Sequence, residues 1–319
     1  MEQRKTNMKI AGVDIAKAYL DVALDGGTDE ARFANDAEGQ AALANWLKAR
    51  GVTRVGMEAT GGYERGVLGV LQARGFETVQ HQPIEVRLFA RLKRRHAKTD
   101  KLDARLIAAA TAHADGVKAA ADPLLNGLAM RLTAYEQAAD LLAQARTYRE
   151  HTSLPDLKAS LEALIAKLAA HKKALLADLL ARIRKEDDLR KRFDLLLSLP
   201  GVGQTIAAVL LIRMPELGAM AHGQSASLLG VAPFNRESGK TNGEAFTRGG
   251  RSRPRRFLYI AALAAKRCDN TLKAFAEGLL ARGKPAKVVL VAIMRKLIEA
   301  ANLVLKRCQP WSEAKPKPA

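Results

Sequence analysis

The stretch 6-TNMKIAGVDIAKAYLDVAL-24 sets a single carboxylate, Asp14, at the end of one short apolar run, and a second strand-like run follows at once. Two such runs, 8–13 and 18–24, read as neighbouring strands joined through Asp14 to Lys17, and Arg32 to Ala34 reads as a third strand of an antiparallel meander. An acid just past a strand end stands at one rim of a sheet, where side chains from other elements can meet it. Taken alone it reads equally as a turn aspartate accepting from nearby backbone N–H groups. The rest of the chain has to decide between the two.

The pattern then changes. In 36-DAEGQAALANWLKARG-51, Ala41, Leu43, Trp46 and Leu47 recur at helical spacing and Gly51 is a stop signal. A strand follows in 53-TRVGMEA-59 with Glu58 near its end, then a helix through Val67, Leu68 and Leu71 that stops at Gly75, then a strand in 76-FETVQHQ-82. Strand and helix in alternation imply parallel pairs with crossovers, so the sheet is expected to be mixed, antiparallel first and parallel afterwards. From Pro83 the chain turns helical and basic, with Arg87, Arg91, Lys93, Arg94, Arg95 and Lys98 ahead of 99-TDKLDARLIAAATAHA-114. Thr99 suits an N-cap. Asp100 and Asp103 then fall three apart in the first turn, on one face, where acids also simply complement the helix dipole.

Residues 122 to 190 carry no strand signal. Leu157, Leu161, Leu164, Leu168, Leu175 and Leu179 recur at spacings of three, four and seven, with one break at Ser153 to Asp156. Two long helices forming a hairpin or coiled-coil stalk are expected, with a partner subunit or another domain covering their seam. In 195-LLLSLPGVGQTIAAVLLIRM-214 an apolar helix, a Pro-Gly-Val-Gly turn and a second apolar helix form a helix-hairpin-helix-like element. There Gly201 and Gly203 would let backbone amides approach a phosphate, although Pro-Gly turns between buried helices are common. Residues 230 to 259 read as a long functional loop rich in Gly, Pro, Asn and Ser, carrying Arg236, Lys240, Arg248, Arg251, Arg253, Arg255 and Arg256. Helices resume at 255–267 and 284–307.

Composition narrows the partners. The 319 residues carry a formal net charge of +19, which points to a polyanion. No apolar run approaches the eighteen or so residues of a spanning helix, and no signal peptide is seen, so a cytoplasmic protein acting on nucleic acid rather than at a membrane is expected. Cys268 and Cys308 are too few for a disulfide framework or a four-ligand zinc site, and six scattered histidines show no metal spacing. Aromatics make up only 5% of residues, so contact with nucleic-acid backbones rather than base stacking is expected to dominate.

Two constellations can carry chemistry. Asp14, Glu58, Asp100 and Asp103 could converge at one rim of such a sheet, and four carboxylates together require cations. Hard oxygen ligands suit Mg²⁺ or Mn²⁺, and a metal pair serves displacement at phosphorus. In 236-RESGKTNGE-244, Ser238 precedes a glycine among guanidinium groups, where a hydroxyl could attack a phosphate or merely form a turn.

This order of strands and acids, with "GVDIAK", "MEATGGY" and "KTDKLDA", resembles the ribonuclease H-like fold of RuvC-type nucleases. With "LPGVG", "GVAPFNRESGK" and "KVVLVAIMRKL" added, the whole chain resembles the DEDD transposases of insertion sequences, the bridge-RNA-guided recombinases. The resemblance implies a RuvC-like domain over 1–115, a helical stalk over 116–190 and a C-terminal transposase domain over 191–319. It implies that Asp14, Glu58, Asp100 and Asp103 bind Mg²⁺ or Mn²⁺ and that Ser238 is the nucleophile, forming a covalent phosphoserine link to DNA before strand exchange and religation. It also implies donor and target DNA as substrates, a noncoding bridge RNA as guide, dimers and tetramers as assemblies, and a bacterial, nucleoid-associated setting. The residues alone leave open a RuvC-like junction-resolving nuclease that cuts with metal-activated water.

Overall fold

The computed structural model describes residues 9–93, 100–114, 122–238 and 241–314. They belong to two compact units, residues 1–122 and 123–319.

The first unit is a five-stranded sheet between helices. Its strands are β1 (Lys9–Ile15), β2 (Tyr19–Leu24), β3 (Glu30–Ala34), β4 (Val52–Glu58) and β5 (Glu77–His81), in the spatial order β3-β2-β1-β4-β5. β2 runs antiparallel to both β1 and β3, whereas β4 is parallel to β1 and β5 to β4. The mixed sheet is as the alternation of elements requires, and it is consistent with a RuvC-like domain.

Period-two alternation decides what each face carries. Ala11, Val13 and Ile15 of β1, Leu20 and Val22 of β2, and Val55 and Met57 of β4 form one buried core with helices α1 (Ala37–Ala49) and α2 (Glu64–Ala73). Asp36 caps α1 by accepting from the Gly39 amide at 2.8 Å. The opposite face bears Gly12 and Gly56, and α4 (Asp100–Ala112) lies directly on it: a Cβ on Gly12 would fall onto the backbone of Ala104 and Ala108, and one on Gly56 onto the Thr111 side chain. Between β5 and α4, α3 (Pro83–Leu92) opens with Pro83 and a capping box in which Gln82 and Glu85 bond reciprocally.

One expectation is corrected here. Asp14 is not past the end of its strand but within it, paired with Asp21 of β2. The ladder runs through Ile15 because Ile15 still reaches the core, so the turn is shorter than the sequence suggests.

The second unit is mainly helical. α5 (Pro123–His151) and α6 (Pro155–Lys185) pack against each other, and they are followed by α7 (Asp187–Leu197), α8 (Gln204–Arg213) and α9 (Gln224–Leu229). After a hairpin described below come α10 (Ser252–Cys268), α11 (Asn270–Ala281), α12 (Ala286–Arg307) and α13 (Trp311–Ala314). Every residue of α8 from Ile206 to Ile212 is buried, which makes it the centre of a core shared with α5, α6, α7, α10 and α12. Farther along the α5–α6 pair, Leu141, Tyr148, Leu157 and Leu164 are exposed. Among the described residues no helix is long and apolar enough to cross a membrane.

The segment expected to be one long loop is instead a two-stranded antiparallel hairpin, β6 (Pro233–Ser238) and β7 (Thr241–Thr247), and α10 begins at Ser252 rather than 255. Phe234 pairs with Phe246, their rings 6.4 Å apart, and a cross-strand aromatic pair of this kind holds a register that Gly and Asn content obscures.

Candidate active site

The acids are positioned by the sheet. β1 and β4 are in parallel register with Val13 beside Met57, so Asp14 and Glu58 are the next neighbours, both on the face that α4 covers. Glu58 in turn pairs with His81 of β5. α4 begins at Asp100, and Asp103 immediately precedes Ala104, the residue packed over Gly12. The backbone therefore brings all four acid positions to one side of the sheet. Asp14, Glu58 and Asp103 are half-buried; the Asp100 side chain lies outside the described residues. Among the described residues no three His, Cys, Asp or Glu side chains stand together as a ready-made ion cage.

Three residues near these acids escape a linear reading. Asp21 stands directly opposite Asp14 across β1 and β2 and is buried. Arg32 of β3 binds it through two bonds of 2.7 Å, and the guanidinium lies 4.1 Å from the centre of the Tyr19 ring. Asp21 is thereby neutralised, so a fifth carboxylate does not add its full charge to the acidic face. The visible signal was an acid between apolar residues in "YLDVAL", but its partner is a strand away. His81 is buried and hydrogen-bonded to Thr111 at 2.9 Å. Burial lowers its pKa below the ordinary histidine value, against the opposing charge of Glu85, so the imidazole beside Glu58 is neutral at pH 7.

The third is Glu64, which organises the "MEATGGY" turn. One carboxylate oxygen accepts from the Thr60 amide (3.2 Å), the Thr60 hydroxyl (2.9 Å) and the Gly62 amide (2.8 Å), and the other accepts from Gln80 (3.2 Å). Burial would raise the pKa of Glu64, but hydrogen bonds from its own amide and from Gly62 and Thr60 outweigh it and the net shift is downward. A depressed carboxylate contributes stability that is present above the ordinary glutamate pKa and lost as pH falls through the folded value. Glu64→Ala is expected to cost about 2 kcal/mol at pH 7, because it strands half-buried amides that had a charged acceptor. Urea denaturation checks this, and the difference from wild type should shrink as the pH is lowered below 4.

The serine region belongs to the second unit. Ser238 is the last residue of β6 and pairs with Thr241, the first of β7, so it stands at the hairpin tip. Its side chain, that of Arg236, and all of Lys240 lie outside the described residues, as do Arg94, Arg95, Thr99 and Lys98 of the first unit. Arg87, Arg91, Lys93 and Arg248 are exposed.

The arginines at the start of α10 are bound to acids of the same unit. Arg251 grips Glu216 through two bonds of 2.8 and 2.6 Å and also donates to the Arg213 carbonyl at 2.7 Å. Arg253 pairs with buried Glu136, which Arg213 also reaches at 3.1 Å. Arg256 bonds Asp140 at 3.2 Å, and Arg255 donates to the carbonyls of Gly249 and Gly230. These side chains brace α10 against α5 and the α8–α9 connection, a second role beside any contact with nucleic acid. Gly201 has a positive φ of 73°, and a Cβ there would meet the α10 backbone at Ala261, so this glycine serves close helix packing. Gly203 is exposed, with open space where a side chain would be, at the N-terminus of α8.

The chain is similar in sequence to known proteins. Residues 11–151 match the DEDD transposase profile of the IS110 type, and residues 193–277 match the transposase profile of the IS116/IS110/IS902 family. A protein of insertion element IS110 from Streptomyces coelicolor is 32% identical over 115 residues, a match covering 35% of this chain and 28% of that protein. The pilin gene-inverting proteins of Moraxella bovis and Moraxella lacunata are each 24% identical over 321 residues, covering 95% of this chain and 97% of theirs. The acidic sheet falls within the first profile and the serine hairpin within the second, which together span more than half of the chain. The chain belongs to the IS110-type family of DEDD transposases, enzymes of DNA transposition and recombination.

Proposed function

We propose that this protein is an RNA-guided transposase that joins DNA strands through a covalent serine intermediate. The observation that carries the reading is the β1–β4 register, which sets Asp14 beside Glu58 under the helix that bears Asp100 and Asp103. The donor set, carboxylate oxygens alone, fits a hard divalent cation, and the four acids would hold Mg²⁺ or Mn²⁺. Such an ion, when bound, supplies charge stabilisation at a phosphoryl oxygen.

The chain's own groups do the rest. The Ser238 hydroxyl attacks a DNA phosphodiester, its oxygen forms the new bond to phosphorus, and the departing strand oxygen leaves with a proton. The phosphoserine diester conserves the bond energy. A strand hydroxyl from the second DNA then displaces serine, which regains its proton, and the exchanged strands are sealed. Arg236 and Lys240, each two residues from Ser238 in the sequence, would supply positive charge beside the nucleophile, and the open N-terminus of α8 at Gly203 offers a further anion site. The pilin gene-inverting relatives are named for a DNA rearrangement, which supports recombination rather than simple cutting. A noncoding guide RNA would choose donor and target sequences by base pairing while the protein grips backbones, in keeping with the +19 charge. The exposed apolar residues far along α5 and α6 suit coverage by another subunit in a dimer or tetramer.

Trapping tests the nucleophile. Wild-type protein with cognate RNA and DNA should yield a protein–DNA adduct that survives denaturation, and Ser238→Ala should yield none. Free nicked ends from Ser238→Ala would instead support hydrolysis by metal-activated water.

A further inference from the structure

α3 carries a surface that the acid site and the serine hairpin leave unexplained. It starts where the acidic strands end: Glu58 pairs with His81, and Gln82 immediately caps the helix. One side of α3 packs on α4, with Val86 buried against Leu106 and Ile107, and Phe89 and Ala90 beside it. The other side presents Ile84, Leu88 and Leu92, which are 58%, 54% and 76% exposed. Their spacing of four places them in one stripe. Arg87 and Arg91, both exposed, lie three positions after Ile84 and Leu88 and flank that stripe.

Single exposed aliphatics are ordinary, but three in a row on a ten-residue helix form a patch. Its occupant has to tolerate two guanidinium groups. A second copy of a chain with net charge +19 is electrostatically disfavoured there. A nucleic-acid strand is favoured, because phosphates take the arginines while apolar side chains such as Ile and Leu can enter between bases and unstack them.

We propose that α3 is a wedge: Arg87 and Arg91 hold the backbone of a nucleic-acid strand running from the acid site, and Ile84, Leu88 and Leu92 separate its bases. This rests on the reading that the acids act on a nucleic-acid phosphate. It provides the base unpairing that exchange of strands requires.

A four-way DNA junction with 2-aminopurine at the bases flanking the crossover tests it, using the full-length chain. Wild-type protein is expected to raise the fluorescence several-fold. The triple variant I84S/L88S/L92S should leave it at the level of free DNA while keeping the salt dependence of binding, since no phosphate contact is removed. R87A/R91A should instead flatten the slope of log K against log salt by about 1.8, the loss of two phosphate contacts. No rise with wild type, or an undiminished rise with the triple variant, overturns the wedge. So does sedimentation without DNA in which wild type is dimeric and the triple variant monomeric, which would give the face to a second copy. If wild type supplied with cognate RNA cuts DNA while the triple variant keeps its fluorescence signal, only the wedge fails; if wild type so supplied does not cut at all, the functional reading fails with it.

Discussion

Glu58→Gln is expected to reduce strand cleavage by about a thousandfold or more while leaving stability and DNA binding close to wild type. The substitution keeps the shape of the side chain at the end of β4 and removes only its charge. Losing one acidic ligand from a site that stabilises charge at phosphorus forfeits several kcal/mol at the transition state, and each 1.4 kcal/mol is tenfold in rate. Asp14→Asn should behave alike, because its position one strand over, at the same level of the sheet, gives it the same relation to α4. The two together should cost little more than either alone, since residues acting as one unit are not additive. Gel-resolved cleavage and urea denaturation of the same preparations check both halves of this expectation.

Gly12→Ala is expected to be as damaging to activity, and by a different route. Its Cβ would coincide with backbone atoms of Ala104 and Ala108, which cannot swing aside as a side chain can. α4 has to lift from β1, and the acids at its N-terminus move with it. Overpacking of this kind costs about 3 kcal/mol. Gly56→Ala meets the side chain of Thr111, which also bonds His81, and should act in the same direction. Gly69→Ala is the control. It lies within α2 with open space around it, so adding a methyl there should stabilise the protein by about 0.5–1 kcal/mol and spare cleavage. A loss of activity without loss of stability at Glu58, and a loss of both at Gly12, separates the chemistry from the scaffold that positions it.

The readability of this chain followed the range of its interactions. The sheet and its first helices were legible because alternation and helical spacing are local, and Asp14, Glu58, Asp100 and Asp103 each punctuate such an element. The reason Gly12 and Gly56 are glycines was not legible, because it lies in α4, some fifty or more residues downstream. Asp21 and Arg32 look like unrelated strand residues until β2 and β3 are laid side by side. The basic cluster from Arg251 to Arg256 looked wholly available to nucleic acid, but the acids that engage it belong partly to α5, more than a hundred residues earlier. The hairpin at Ser238 was concealed by composition, since Gly, Asn and Pro are the ordinary vocabulary of loops, and the strands show in the cross-strand pairing that runs from Phe234–Phe246 to Ser238–Thr241.

The proposed chemistry depends on the acids of β1, β4 and α4 sharing a divalent ion. Anomalous scattering from crystals of the protein with RNA, DNA and Mn²⁺ measures this directly. A peak is expected about 2.1 Å from carboxylate oxygens of Asp14 and Glu58 and of at least one of Asp100 and Asp103. A map with no peak there, in crystals where the bound DNA is ordered at the acids, would contradict it.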